Sequence, residues 1–307
     1  MDAKPNFIMT VGLPASGKTA WADQYKDQGY HVHSSDKIRA ELLGDENAQT
    51  DNQRVFSELH KRVKEDLAAG ISCIYDATNM SRKRRKVLLD ELKNIPCYKE
   101  CALFPAPIEE CKARNQSRER QVPDDVYDKT LRSFWVPYYY EGWDNIGIVN
   151  FSSRFHPFNL YEMVGFSQDN PHHSLDLFDH CVQACLFASH SDFSSPVIEA
   201  AQFHDIGKLY TKSFKDANGN DSDVAHYYGH ESYGAYLYLV SELSDANNRN
   251  EKRIDELLYI AALINWHMRP YTAWRQSKQC EAKDRELIGE AMYQDILDLH
   301  KADAAAH

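Results

Sequence analysis

Eight consecutive residues, Gly12-Leu13-Pro14-Ala15-Ser16-Gly17-Lys18-Thr19, bring together the side chains and backbone freedom that phosphate recognition needs. Glycines at positions 12 and 17 let backbone N–H groups approach phosphate oxygens, Lys18 carries a charge to the β/γ-phosphates, and the Thr19 hydroxyl can ligate Mg²⁺. The spacing GxxxxGK[ST] follows the apolar run Phe7–Val11 and opens a helical pattern from Lys18 to Lys26. The loop should therefore join a strand to a helix N-terminus, whose dipole favours anions. Gly12, Ser16, Gly17, Lys18 and Thr19 are the candidate residues for the phosphates of a nucleotide, with Thr19 also able to hold Mg²⁺.

Four further segments carry chemistry. Ser34-Ser35-Asp36-Lys37-Ile38-Arg39 follows a second apolar run and enters a helical pattern. Asp36 has two readings there: an N-cap whose carboxylate satisfies free amides, or a base accepting the proton of an attacking hydroxyl, with Arg39 holding a substrate phosphate. Asp76-Ala77-Thr78-Asn79 ends the strand pattern Ile71–Tyr75, at the edge where open α/β sheets bind ligands. A turn-forming Asp/Asn cluster is the plainer account of those four residues. The basic run Arg82–Lys86 reads mainly as a solvated helix face, with one or two members touching a substrate. Arg114, Arg118 and Arg120 surround a junction before Val122-Pro123. They form either a surface cluster or a mobile lid that neutralises charge on a transferred phosphoryl group. Arg114 and Arg118, four apart, are expected on one helix face.

A second constellation lies in the other half: His180, His204-Asp205 in FHDIGK, His226, His230 in YYGHES, His267 in NWHMRP and Asp303 in LHKADAAAH. Any one of these histidines is more often a satisfied or solvent-facing side chain than a ligand. As a set on helical patterns, they can converge on one divalent transition metal or two, through nitrogen and oxygen donors. Such ions generate hydroxide near neutral pH and clamp phosphate oxygens.

The elements that must position these residues divide the chain. Strand patterns at Phe7–Val11, His31–His33, Ile71–Tyr75, Cys101–Phe104 and Ile146–Phe151 alternate with helical patterns at 52–69, 81–93, 107–118 and 123–134. That alternation predicts βαβ units and a parallel sheet. Residues 153–170 read as a linker, with Pro157, Asn159 and Gly165. Helical patterns then cover 174–189, 194–205, 229–243, 251–267 and 283–300, interrupted by a loop at Asp216–Asp223. The expected organisation is 1–152, a linker at 153–170, and an all-α domain at 171–307.

Residues 1–152 hold 22 Lys+Arg against 23 Asp+Glu, and the remainder 13 against 23, which together give the net charge of −11. The acidic second half suits a cation-collecting site better than a nucleic-acid platform. No stretch reaches the ~18 apolar residues of a membrane span, and the N-terminal residues do not follow a signal-peptide layout. Seven scattered cysteines without a CxxC pair argue against a disulfide framework or zinc ribbon, and a reducing cytoplasm is expected.

GLPASGKT, SSDKIR, DATN with its following basic residues, and RNQSRERQVP together resemble the polynucleotide 5′-kinase branch of P-loop kinases, over about residues 5–150. The resemblance implies an α/β P-loop kinase domain in which Lys18 and Thr19 serve ATP and Mg²⁺, Asp36 is the base and Arg39 contacts the acceptor phosphate. It implies that Arg118 is a lid arginine engaging ATP, with Arg114 and Arg120 as further candidates. Asp76 would reach Mg²⁺ through water. The order H…HD…H…H…D resembles the HD phosphohydrolase superfamily over about residues 170–307. That likeness implies His180, His204, Asp205 and Asp303 as core ligands, His230 and His267 at a second metal or the substrate phosphate, and Lys208 on phosphate. His173 and His226 are alternates for a neighbour; His300 and His307 are left out.

The fusion implies RNA or DNA end healing: phosphorylation of 5′-OH ends plus metal-dependent removal of a 3′-phosphate or 2′,3′-cyclic phosphate, acting with a ligase. The HD metal would be Mn²⁺, Ni²⁺, Co²⁺, Fe²⁺ or Zn²⁺. A nucleoside or small-metabolite kinase joined to a nucleotidase, and a nucleotide-responsive regulatory HD protein, are the alternatives.

Overall fold

The apolar run before the glycine-rich loop is a strand, β1 (Asn6–Gly12), buried along all but its first residue. A continuous apolar segment of this kind suits a strand covered on both faces. The computed structural model describes residues 4–46, 48, 50–149, 160–171, 174–244 and 251–306. After β1 come α1 (Lys18–Asp23), β2 (His31–Ser34), α2 (Ser35–Leu43), α3 (Asn52–Ala68), β3 (Cys73–Asp76), α4 (Arg82–Glu91), β4 (Tyr98–Phe104), α5 (Ile108–Gln116), α6 (Asp124–Leu131) and β5 (Asn145–Ile148). The strands form one parallel sheet in the order β2-β3-β1-β4-β5. This is a P-loop kinase-like fold, a parallel five-stranded sheet with flanking helices.

β1 lies at the centre of the sheet, so the loop that follows it emerges at the carboxyl edge between β3 and β4. Ile8, Ala22, Ile74, Ala102 and Phe104 pack beside it, flanked by Trp21, Tyr25 and Val32. Each fully buried Ile or Phe contributes about 1.5–3 kcal/mol. α3 shows the underlying pattern clearly. Val55, Leu59, Val63 and Leu67, spaced four apart, are its buried face, and Asp51 caps it by accepting from the Arg54 amide.

The helical region contains α7 (Leu177–His190), α8 (Ser195–Phe203), α9 (Lys208–Thr211), β6 (Ser213–Lys215), β7 (Asp221–His226), α10 (His230–Ser244), α11 (Glu251–Trp266), α12 (Ala273–Gln276), α13 (Lys278–Ile288) and α14 (Glu290–Ala305). Two details differ from the sequence pattern. The loop expected at Asp216–Asp223 is the turn of a small antiparallel hairpin, β6–β7, together with the first residues of β7. The single helix expected at 283–300 is two helices, because Gly289 takes a positive φ of 80° that ends α13 and starts α14.

The chain divides into two compact units, Met1–Tyr127 with Pro137–Ser153, and Asp128–Val136 with Arg154–His307. Residues 128–136 thus group with the helical unit although they lie inside the span 1–152. Their contacts give the reason. The Val136 amide donates to Asn265 Oδ1 at 2.7 Å, and Phe134 and Trp135 pack edge-on against Tyr236 and Trp266. Within the expected linker, Leu160–Met163 is a short 3-10 turn and Met163 is buried. Pro157, Asn159, the end of the fifth strand pattern at Asn150–Phe151, His173 and His307 lie outside the described residues. No helix among the described residues is long and apolar enough to cross a membrane.

Candidate functional site

In the first unit the loop after β1 is wrapped by backbone and lysine together. Ala15 and Gly17 take positive φ values of 60° and 95°, the alternation that turns successive amides toward one side. Gly12 is required by crowding: a Cβ there would lie 2.8 Å from Phe104 Cβ and 2.9 Å from Ser16 Oγ. Lys18 Nζ folds over the loop, donating to the Leu13 carbonyl at 2.6 Å and to Ser16 Oγ at 3.3 Å. Burial lowers the Lys18 pKa to about 8, against the opposing pull of Asp76 and Asp36. An arriving phosphate would reverse that effect, since an anion beside a buried ammonium favours its charged form.

Asp76 closes β3 with its carboxylate turned to this loop. Thr19 Oγ1 donates to Asp76 Oδ2 at 2.7 Å, and the Thr10 hydroxyl lies 3.2 Å from Asp76 Oδ1. A hydroxyl and a carboxylate meeting at a phosphate loop are the oxygen donors that Mg²⁺ prefers, so Thr19 and Asp76 fit that ion. Behind them Asn79, at φ 49°, donates from Nδ2 to the Thr10 carbonyl at 2.8 Å, and the Gly12 amide donates to the Thr78 carbonyl. The DATN segment is thereby stitched to β1 and the loop, which goes beyond a generic turn.

Asp36 is not the N-cap of α2. Ser34 occupies that position, and Asp36 lies in the first turn. Its two oxygens are held by two guanidiniums: Arg39 Nη1 donates to Oδ1 at 2.8 Å, and Arg120 Nη1 lies 2.8 Å from Oδ2. Arg39, nearly buried, also donates to Asn52 Oδ1 at the start of α3. The three junction arginines have separate settings. α5 ends at Gln116, so Arg118 lies beyond the helix and does not share a helical face with Arg114. Arg114 pairs with Glu110 on its own helix, Arg118 is exposed, and Arg120 reaches Asp36. Asn115, at the end of α5, ties the loop back by exchanging hydrogen bonds with the Val122 backbone at 2.8 and 2.9 Å.

Of the basic run, Arg85 is fully buried and structural. It makes a two-point ion pair with Glu141, at 2.6 and 2.8 Å, and donates to the carbonyls of Asn79 and Met80 at 2.9 Å. Sequence reasoning had no means to separate it from its neighbours, because Glu141 lies 56 residues away.

In the helical unit six side chains converge. His180 comes from α7, His204 and Asp205 from the turn after α8, His230 from the start of α10, His267 from just beyond α11, and Asp303 from α14. His180 Nε2 lies 3.2 Å from His204 Nε2, 3.3 Å from Asp205 Oδ2 and 3.2 Å from Asp303 Oδ1. The other oxygen of Asp205 faces a second group: Oδ1 is 3.2 Å from His230 Nε2, which is 3.2 Å from His267 Nε2. Asp205 therefore bridges two clusters, His180–His204–Asp303 and His230–His267.

The tautomers follow from the backbone. Each imidazole places Nδ1 against a carbonyl: His180 on Ala306, His204 on Ala201, His230 on Tyr227 and His267 on Ile264, at 2.7–3.2 Å. A carbonyl can only accept, so Nδ1 carries a proton in each ring and Nε2 is the atom left to face the neighbouring donors. Against the desolvation of burial, Asp205 and Asp303 hold His180 and His204 above the ordinary imidazole pKa. These carboxylates therefore favour positive charge at this centre, and a second hydrogen bond fixing each imidazole is what metal ligation needs. Burial pushes the His267 pKa down to about 3, with His230 and His204 adding to the effect, which keeps its ring neutral. The donor set therefore fits one or two transition-metal ions.

Two local features bring these elements together. A Cβ on Gly207 would lie 2.0 Å from the His230 carbonyl oxygen and 2.7 Å from the Gly234 amide, so only glycine lets the HDIGK turn reach α10. Lys208 Nζ sits 2.7 Å from Asp205 Oδ2 and donates to Gln168 Oε1 at 2.8 Å. Gln168 carried no sequence signal. His226 is apart from the clusters, with Nε2 on Ser222 Oγ and its ring stacked on Tyr228.

A family model described as an AAA domain matches residues 7–137. No curated protein matches the chain. Among solved structures, a chain of the Pnkp1/Rnl/Hen1 RNA repair complex is 22% identical, covering 42% of this chain and 44% of its own length, with a TM-score of 0.37. The present chain thus spans less than half of that relative. A putative kinase from Chloroflexus aurantiacus j-10-fl is 16% identical over 50% of this chain and 92% of its own, with a TM-score of 0.40. A sugar kinase from Janibacter sp. HTCC2649 is 20% identical over 47% and 84%, with a TM-score of 0.36. At these identities and scores the likenesses carry no argument about substrate.

Proposed function

We propose that the chain heals nucleic-acid ends, phosphorylating a 5′-hydroxyl from ATP in its first unit and removing a 3′-terminal or cyclic phosphate in its helical unit. The observation that carries the proposal is the pairing of a P-loop with an Asp36 carboxylate held between Arg39 and Arg120. The bridged cluster around Asp205 supports the second activity.

In the kinase step the loop amides and Lys18 hold the nucleotide phosphates, and Thr19 with Asp76 would hold Mg²⁺, which supplies charge neutralisation on the phosphates. Asp36 accepts the proton of the terminal hydroxyl. Arg39 steadies the acceptor phosphate, and Arg118 and Arg120, on the loop after α5, meet the charge of the transferred group. For the hydrolytic step His180, His204, Asp205, His230, His267 and Asp303 would hold one or two ions, which would supply Lewis acidity and lower the pKa of water. Lys208 orients Asp205 and offers a cation to the phosphate. Soluble cytoplasmic residence and cooperation with a ligase belong to the same proposal.

The test uses γ-labelled ATP, Mg²⁺ and a 5′-OH RNA bearing a 3′-phosphate, with Mn²⁺, Ni²⁺ or Co²⁺ added for phosphate release. Asp36→Ala is expected to abolish label transfer alone, and Asp205→Ala to abolish phosphate release alone, each by more than about 10²-fold. Phosphorylation of free nucleosides or sugars with no oligonucleotide labelled would sink the end-healing reading.

A further inference from the structure

Away from both sites, three metal-capable side chains meet on the outer edge of the sheet: His31, His33 and Asp66. β2 is an edge strand, paired only with β3 in the described sheet. His31 and His33 are two residues apart on it, and the period of a strand places alternate side chains on one face. Asp66, in the last turns of α3, reaches that face from the side. Its Oδ2 lies 2.9 Å from His31 Nδ1 and 2.6 Å from His33 Nε2. His33 and Asp66 are mostly covered, at 15% and 16% exposed, while His31 is open at 52%.

We infer that this triad is a third metal site, taking one divalent ion of the borderline class, Zn²⁺, Ni²⁺ or Cu²⁺. Two imidazole nitrogens and one carboxylate oxygen are the donors these ions choose over the all-oxygen sets preferred by Mg²⁺ or Ca²⁺. Ligand atoms of a tetrahedral zinc site stand about 3.3 Å apart. The observed separations fall short of that by less than about 1 Å, which side-chain rotation supplies, and all three donor atoms lie within 4.8 Å of one another. The half-open His31 leaves solvent access for a fourth ligand, so the ion can enter without opening the fold.

The ion would staple β2 to the C-terminal half of α3. β2 runs directly into Ser34, Ser35 and Asp36, and α3 begins at Asn52, the partner of Arg39. The two stapled elements therefore flank α2, which carries Asp36 and Arg39: β2 leads into it and α3 supplies Asn52 to Arg39. The role is positional, since none of the three ligands touches the phosphate loop residues described above. The inference stands whether or not the helical unit hydrolyses phosphate.

The test is Zn²⁺ uptake by the full chain in an Asp205→Ala background, which removes the bridging ligand of the buried clusters. Adding His31→Gln with His33→Gln should lower the Zn²⁺ retained after desalting by one equivalent, whatever His180, His204 and Asp303 still hold, and should weaken binding of that equivalent at least about tenfold. Asp66→Asn should weaken it as well, with the thermal melt of the metal-free chain unchanged. Uptake that is indifferent to these replacements, or no uptake with all three residues intact, would overturn the site and leave a hydrogen-bonded trio only. Should Asp205→Ala fold poorly, Cu²⁺ electron paramagnetic resonance on the otherwise unaltered chain answers the same question. A two-nitrogen component that is lost from the spectrum in His31→Gln/His33→Gln supports the site, and spectra and bound copper identical with and without the two replacements overturn it.

Discussion

In the first unit the phosphate loop occupies eight adjacent residues, whereas in the helical unit the six converging side chains come from five separate places between His180 and Asp303. The first site is made largely of backbone. Its amides are aimed by positive φ values at Ala15 and Gly17 and by crowding at Gly12. The second is made of side chains, and the backbone enters only as four carbonyls that fix the imidazole tautomers. A backbone site can be contiguous because alternation in the sign of φ turns successive amides toward one side. A side-chain site cannot be, since donors around one cation must approach it from different sides.

The contrast would weaken if the contiguous loop depended on a distant residue, and Arg85 is where to look. Its buried pair with Glu141 holds the Asn79–Met80 backbone, which in turn supports the loop. Arg85→Met leaves Glu141 buried and uncompensated, and should cost about 3–5 kcal/mol in urea denaturation. Arg85→Met with Glu141→Leu should recover much of that loss. A single-variant cost under about 1 kcal/mol would show that the pair does not support the loop.

A pair of glycines sharpens the same contrast. Gly207→Ala meets backbone atoms that cannot rotate away, so it should cost about 3 kcal/mol and release metal while leaving nucleotide binding intact. Gly12→Ala meets Phe104 Cβ and Ser16 Oγ, should cost about 1–3 kcal/mol, and should weaken nucleotide binding with metal content unchanged. Elemental analysis beside ATP titration separates the two. If either substitution disturbed both readouts, the independence of the two sites would fail.

The smallest effect concerns pH. The Lys18 pKa in the folded chain, about 8, lies below its ordinary 10.5. Between these values the folded state binds fewer protons than the unfolded state, so the Lys18 contribution to stability rises with pH across that window. ATP needs the ammonium, so its affinity should fall by up to about tenfold per pH unit above 8, with proton uptake on binding. Calorimetry in buffers of different ionisation enthalpy measures that uptake; its absence above pH 8 would mean Lys18 stays charged without ligand.

Much of this was legible in residue order. The strand–loop–helix around Gly12–Thr19 and the amphipathic spacing of α3 are local, so period and glycine placement suffice. The identity of the cluster residues was legible too, because HDIGK and the four other segments carry the donors themselves. Harder to read were features set by distant partners. Asp36 as an N-cap or as a carboxylate clamped by Arg39 and Arg120 could not be decided without knowing where residue 120 lies. Arg114 and Arg118 looked like one helical face because the end of α5 at Gln116 leaves no glycine or proline to mark it. Gly289 did mark a break, yet the apolar period ran through it.

By itself the sequence determined the fold class, the phosphate loop and the inventory of donors, because backbone periodicity and side-chain type are local properties. Only the tertiary structure decided which donors share a centre. Asp205 divides its two oxygens between two histidine pairs, Gly207 lets that turn touch α10, and the sheet edge brings Asp66 to His31 and His33. Each of these depends on the approach of segments tens of residues apart, which packing rather than local preference sets.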